Sequence, residues 1–224
     1  MLKNVKTAAV AAVLLLMLCL AACQKEARQA DGGQKEARQA VKETQITGHV
    51  LSGSDDSPIR IEVFSDLQCP GCRELFLRVL KPVMEEYQDK VSVVYYEFPL
   101  NAHKYARPAA RYVSAASKLE RQKLLSVYTA IFNDQAIWET DGRVEESVFK
   151  ALSNEDFLKV RQILMDADSL AKINETIEKD LQLGMSKGVN STPTMFISYG
   201  GKEEKVEGAP TYKVMKQFLN SIVK

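Results

Sequence analysis

The stretch SDLQCPGCREL, residues 65–75, sets Cys69 and Cys72 three positions apart. Two thiols at that spacing can ligate a metal, staple a short loop, or trade disulfides with another protein. A structural zinc site takes four protein ligands, usually two such pairs or one pair with histidines. The chain has one CxxC, and its two histidines, His49 and His103, stand far apart in sequence, so ligand count argues against a metal. A staple closing so short a loop would remove little chain entropy. Exchange chemistry suits the pair if Cys69 opens a helix. The first helical N–H groups are unpaired and the positive end of the dipole favours a thiolate, the nucleophilic form. Pro70 fits the first helical position, where its missing N–H costs nothing. Cys72 then lies about one turn on, on the same side, placed to attack a mixed disulfide at Cys69 and close a Cys69–Cys72 disulfide. Such a reaction needs no bound cofactor, because the redox-active group is the cysteine pair itself.

The elements that must hold this pair are legible around it. PIRIEVFSD (58–66) is β-rich and mostly apolar, as in a strand covered on both faces, and runs directly into the cysteines. From there Leu75, Phe76, Val79, Leu80, Val83, Met84 and Tyr87 keep helical spacing, with Pro82 predicted to kink the helix. VSVVYYEFPL (91–100) is a second strand, parallel to the first across the helix. Between His103 and Gly188 the pattern is helical, over 104–118, 119–132, 144–152, 154–165 and 168–187, with Asn154 and Asp168 as N-caps and Gly188 ending the last helix. TPTMFISYGGKEEKVEGA returns to β structure with a turn at 199–202, and a final helix over 211–223 presents Val214, Met215, Phe218 and Ile222 on one side. The order is βαβ, a helical insertion at about 103–188, then ββα: an α/β domain over 46–224. Trp138, the single tryptophan, is expected in the packing of the helical insertion.

Composition excludes some functions. Lys plus Arg number 30 against 29 Asp plus Glu, a net charge of +1, so there is no overall basic field for nucleic acid. The N-terminus reads as a secretory address: Lys3 and Lys6, an apolar run from Ala8, then small residues at Ala21 and Ala22. About 15 apolar residues fall short of the ~20 that span a bilayer. Leu20-Ala21-Ala22-Cys23 resembles the lipobox of bacterial lipoproteins, which implies cleavage after residue 22 and acylation of Cys23, an anchor of several acyl chains. Residues 23–45 follow as a solvated tether in which QKEARQA occurs twice. Roughly 20 flexible residues would hold the domain ~25 Å from its anchor on average. Gln24 resembles an outer-membrane sorting signal of enteric bacteria.

The strand, CPGC, helix, helical insertion and GVNSTPTMFI resemble the Dsb family of thioredoxin-fold disulfide oxidoreductases, in its bacterial extracytoplasmic lipoprotein form. VFSDLQCPGC, EFPLNAHKYARPAA and Thr192-Pro193 carry the resemblance. It implies a thioredoxin-like fold, an attacking Cys69, a resolving Cys72 and a cis-proline at Pro193 facing them. Base rates alone would make Pro193 a trans proline at a strand start. With a cis bond, Thr192 would offer backbone groups to an extended substrate. The partners implied are extracytoplasmic cysteine-containing proteins, a membrane redox partner that resets the pair, and the membrane itself. Two departures stand out. Many relatives carry an acidic residue six positions before the first cysteine, where this chain has Val63; Glu62 and Asp66 nearby read as solvated carboxylates, leaving the proton acceptor for Cys72 unassigned. The dipeptide Pro70-Gly71 lacks the histidine of strongly oxidising members, so a less stabilised Cys69 thiolate is expected. His103 falls where relatives often have histidine, either supporting the site or capping the next helix. Oxidation of substrates is the direction read first; reduction or isomerisation fed by a membrane thiol carrier, and a tethered binding module with a structural disulfide, stand as alternatives.

Overall fold

The computed structural model describes residues 47–223. The signal segment, Cys23 and the QKEARQA repeat lie outside the described residues. Five strands, β1 (His49–Ser52), β2 (Ile59–Ser65), β3 (Val91–Glu97), β4 (Thr194–Tyr199) and β5 (Lys202–Glu207), form one sheet in the order β1-β3-β2-β4-β5. The strand pair predicted to be parallel is so, β2 against β3 from Ile59↔Val91 to Ser65↔Glu97. The short β1, absent from the sequence reading, runs antiparallel on the outer side of β3. β4 runs antiparallel to β2, with Phe64 opposite Thr194, so the end of β2 and the start of β4 lie side by side. Every residue of β3 is buried, as expected for an inner strand covered on both faces. At the other edge β5 reads KEEKVE and is almost wholly exposed.

After β2 the chain enters α1 (Pro70–Leu75), a π-helical turn (Phe76–Leu80) and α2 (Lys81–Glu86). The strain expected of Pro82 is absorbed one turn early: the Lys81 N–H reaches back five residues to the Phe76 carbonyl. Widening the helix there accommodates a ring that would otherwise crowd the preceding turn. The predicted apolar stripe, Leu75, Phe76, Val79, Leu80, Val83, Met84 and Tyr87, is buried throughout.

The helical insertion comprises α3 (Ala106–Ala116), α4 (Arg121–Asn133), α5 (Gln135–Asp141), α6 (Val144–Ala151), α7 (Asn154–Met165) and α8 (Ala167–Ser186). The two N-caps differ from expectation. Ser153, not Asn154, accepts the Asp156 N–H, and Asp166, not Asp168, accepts that of Ser169. Each true cap has extended backbone, whereas the expected residue is already inside the helix. Gly188 follows α8 at φ +73°, the left-handed conformation that favours glycine. Trp138 is buried, its Nε1 donating to the Ile131 carbonyl at 2.8 Å. The last helix, α9 (Tyr212–Ile222), buries Met215 and Leu219, while Val214, expected on the inner side, is 55% exposed. Leu219, four residues after Met215, continues the stripe one turn on.

Gly184 of α8 packs tightly against Phe64 of β2 and against Phe98. A Cβ there would lie 2.6 Å from Phe98 Cε2 and 2.9 Å from Phe64 Cδ1. Gly184→Ala is therefore expected to destabilise the domain by about 1–3 kcal/mol despite its gain in helix propensity, a drop readable in urea or thermal unfolding.

Candidate active site

β2 ends at Ser65, and the residues after it fold tightly over the sheet. The Asp66 carbonyl accepts the Cys69 N–H at 3.1 Å, and Cys69, in extended conformation, becomes the N-cap of α1 with Pro70 just inside. The Cys69 carbonyl in turn accepts the N–H groups of Cys72 (3.1 Å) and Arg73 (3.2 Å). Two residues of the helical insertion hold this corner from above. Gln135 Nε2 donates to the carbonyls of Leu67 (2.8 Å) and Cys69 (3.1 Å), and Arg73 Nε donates to that of Phe132 (3.0 Å). Gln135 was invisible to sequence reasoning: it lies in a polar stretch assigned to no element, and its partners are 66 and 68 residues away.

Asp66 corrects the sequence reading. It is 1% exposed rather than solvated, because its carboxylate is fully engaged. Oδ1 accepts the Gln68 N–H (2.7 Å), Oδ2 accepts the Leu100 N–H (2.7 Å), and His103 Nδ1 lies 2.9 Å from Oδ2. His103 thus meets the CPGC corner through Asp66; the next helix is capped by Tyr105, whose N–H donates to Gln68 Oε1 at 2.7 Å. Glu62 is likewise not a free carboxylate. It is part-buried on the opposite face of the sheet, paired with Lys187 Nζ at 2.7 Å and Arg60 Nε at 3.1 Å, and these partners hold its carboxyl below the usual range against the opposing effect of burial.

The two sulfurs differ sharply. Cys69 is half-buried and Cys72 fully buried, and in this structure both are free thiols. The Thr192–Pro193 peptide bond is cis, and the β2–β4 register brings it against the cysteines. The Cys69 thiol donates to the Thr192 carbonyl at 3.4 Å. Gly71 leaves this approach open: a Cβ there would stand 3.2 Å from Pro193 Cδ and 3.8 Å from Cys69 Sγ. When Cys69 ionises, hydrogen bonds from the Cys72 thiol, Thr192, and the backbone N–H groups of Cys72 and Gly71 outweigh the cost of partial burial, bringing its pKa down to about 5. The Thr192 hydroxyl is buried and without a partner among the described residues, and so is available to a Cys69 thiolate. These donors stabilise the thiolate without a histidine between the cysteines. Burial pushes Cys72 well above the ordinary thiol range, and negative charge at Cys69 raises it further, opposed by the Ser65 hydroxyl and the Asp66 N–H. That N–H lies 3.3 Å from Cys72 Sγ. The arrangement is one accessible, readily ionised sulfur beside one sequestered, protonated sulfur. Among the described residues no group of three or more His, Cys, Asp or Glu side chains converges as for a metal ion.

Comparison with known proteins bears on the family and the fold. A family model described as Thioredoxin matches residues 44–221. The "probable disulfide bond formation protein D" of Bacillus cereus is 27% identical over 149 residues, 65% of this chain and 68% of that protein. The thiol-disulfide exchange protein alpha-DsbA2 of Wolbachia pipientis superposes with a TM-score of 0.65 at 19% identity, over 87% of this chain and 97% of its own. Oxidised BdbD from Bacillus subtilis superposes with a TM-score of 0.62 at 18% identity, over 78% and 92%. These structural matches establish the thioredoxin-like α/β fold.

The low proton affinity of Cys69 has a measurable sign. Its folded pKa of about 5 lies below the ordinary thiol value of about 9, so it stabilises the dithiol form fully above about pH 9 and not at all below about pH 5. Unfolding of the reduced protein should accordingly show stability, relative to Cys69→Ser, rising across that window. Alkylation of Cys69 by iodoacetamide should follow a single titration centred near pH 5.

Proposed function

The chain belongs to the thioredoxin family, and from that premise we propose that it is a DsbA-like thiol:disulfide oxidoreductase, acting on cysteine-containing proteins outside the cytoplasm, with oxidation of substrates as its direction. The observation that carries the reading is the pairing of an accessible Cys69 at a helix start, 3.4 Å from the carbonyl before a cis-proline, with a buried Cys72 behind it.

In the oxidising direction a substrate thiolate attacks Cys69 Sγ of the Cys69–Cys72 disulfide. Cys72 leaves with the electron pair, and a mixed disulfide joins the substrate to Cys69. A second substrate thiolate then displaces Cys69, giving the substrate its disulfide and leaving the pair reduced by two electrons. A stabilised Cys69 thiolate favours both the second displacement and the reduced end state, which is why its pKa of about 5 supports an oxidant over a reductant. Thr192 and Pro193 receive the substrate chain, their backbone beside the attacking sulfur being suited to an extended segment. Pro70 and Gly71 keep that approach narrow and unobstructed, and His103 supports the corner through Asp66.

Location and anchoring rest on the N-terminal sequence. The secretory pattern and the lipobox-like LAAC support lipidation at Cys23 and placement on the outer side of the cell envelope, with Gln24 favouring the outer membrane. A membrane redox partner re-oxidises the pair between turnovers. The similarity to a disulfide bond formation protein supports the oxidising direction.

Cys69→Ser should reduce insulin reduction and refolding of reduced substrates to the uncatalysed rate, and Cys72→Ser should accumulate mixed disulfides at Cys69 that identify the substrates. Wild-type rates in Cys69→Ser would instead favour a binding module, and a resting pair found reduced in cells would favour a reductase. Cys23→Ala should release the mature chain from membranes.

A further inference from the structure

Beneath α1 lies a cluster of buried ionisable groups that the exchange chemistry above does not use. Glu97, the last residue of β3, is 1% exposed, and its Oε1 accepts the Tyr128 hydroxyl of α4 at 2.5 Å. Tyr128 has one hydroxyl proton, given to Glu97, so its oxygen accepts from His49 Nδ1 of β1, 2.7 Å away. Burial, with a smaller contribution from Lys118, brings His49 down to about 4, so near neutral pH it is the uncharged ring with its proton on Nδ1. A buried carboxyl is costly in an apolar core, and the base beside this one, His49 with Nδ1 4.0 Å from Oε1, is uncharged near neutral pH.

Its position gives the reason. The parallel register sets Glu97 directly beside Ser65, one strand spacing away, ~4.8 Å, on the same face of the sheet. One step back on that face stand Val63 and Tyr95. The Tyr95 hydroxyl donates to Ser65 Oγ at 2.6 Å, and the Ser65 hydroxyl is near enough to Cys72 to favour its thiolate. Cys72 and Glu97 therefore share one water-poor compartment with Ser65 and Tyr95 between them, and Tyr95 experiences the charge of both. The geometry points to Glu97 as the positioning residue that sets the proton affinity of Cys72, acting from β3 through Ser65 and Tyr95 in a chain whose β2 carries Val63. The inference rests on the exchange reading and deepens it.

The groups around Glu97 are Tyr95 on its own strand, His49 from β1, Tyr128 from α4, Asp180 from α8 and Asp66 after β2, with Cys72 of α1 beyond Ser65 and Tyr95. Burial first, then the negative charges of Asp180 and Asp66, raise the Glu97 carboxyl well above its ordinary range, while the Tyr128 hydrogen bond lowers it. Two anions in one such compartment repel, so Glu97 and Cys72 share a proton. As substrate attacks Cys69, the Cys69–Cys72 bond breaks, its electron pair passes to Cys72, and the new thiolate takes up the proton that Glu97 carried. In reverse, Cys72 gives its proton to the Glu97 carboxylate as its sulfur attacks the Cys69–substrate disulfide, and the substrate sulfur leaves with the electron pair.

Mixing the reduced full-length protein with oxidised glutathione in stopped flow separates mixed-disulfide formation at Cys69 from its resolution by Cys72. Glu97→Gln, which can still accept from Tyr128, should leave the first step at the wild-type rate. It should slow the second on the order of a hundredfold at pH 7 and remove its pH step, with Glu97→Asp restoring most of the rate. Tyr128→Phe, which deletes one hydroxyl, should move that step up by about one pH unit. Resolution by Glu97→Gln at or above the wild-type rate with the same pH profile would overturn the assignment. Should Glu97→Gln not fold, an unmoved profile in Tyr128→Phe would overturn it equally. Absence of any mixed disulfide at Cys69 would refute the exchange reading instead.

Discussion

One aspartate ties the site to the fold. Asp66 receives Cys69 through its carbonyl, meets the Cys72 sulfur with its N–H, and holds the Gln68 and Leu100 N–H groups and His103 with its carboxylate. A buried carboxylate is tolerated only when its oxygens are satisfied, and here the satisfying groups come from both sides of β3's exit. The loop carrying the cysteines and the loop leaving the neighbouring strand are thereby locked together. The start of α1, the orientation of both thiols and the path toward the helical insertion all follow from that joint.

The asymmetry of the two thiols comes from the sheet. β2 is flanked by β3 and β4, so one end of it must present Ser65 to Glu97 on one side and lie next to the cis-proline corner on the other. Cys69, at the end of the helix, collects donors from the open side; Cys72, one turn on, is pressed against the face lined by Ser65 and Tyr95. Three hydrogen bonds to carbonyls close the arrangement besides apolar packing: two from Gln135 of the insertion to Leu67 and Cys69, and one from Arg73 of α1 to Phe132 of the insertion.

Much of this was legible in the chain. The CPGC following a β-rich run, the helical stripe from Leu75, the parallel strand at 91–97 and the hairpin at 199–202 are local patterns, and local patterns survive folding. The cis bond at Pro193 was legible only through family resemblance. What escaped was long-range. Asp66 looks like any loop aspartate until Leu100 and His103, 34 and 37 residues away, are brought to it. Glu97 is one acidic residue at the end of an apolar strand, and only register places it beside Ser65. Helix α5 was missed because NDQAIWETD is short and polar, with Trp138 and Gln135 as its only inward anchors. The misassigned caps at Asn154 and Asp168 are of another kind: each lies within two residues of the true one, and neighbouring residues with the same chemistry compete.

The outer strand β5, with its Lys and Glu side chains in alternating blocks, bears on how such a protein handles its clients. Unfolded chains awaiting disulfides are rich in unpaired backbone and seek any open strand to zip onto. A charged rim of this kind makes lateral pairing unfavourable, and the opposite rim, β1, is only four residues long and carries an irregular register. With both rims unfavourable to lateral pairing, the backbone left open to an extended segment is that around Thr192, beside the Cys69 sulfur. The same rims make edge-to-edge joining of two copies of the chain unfavourable.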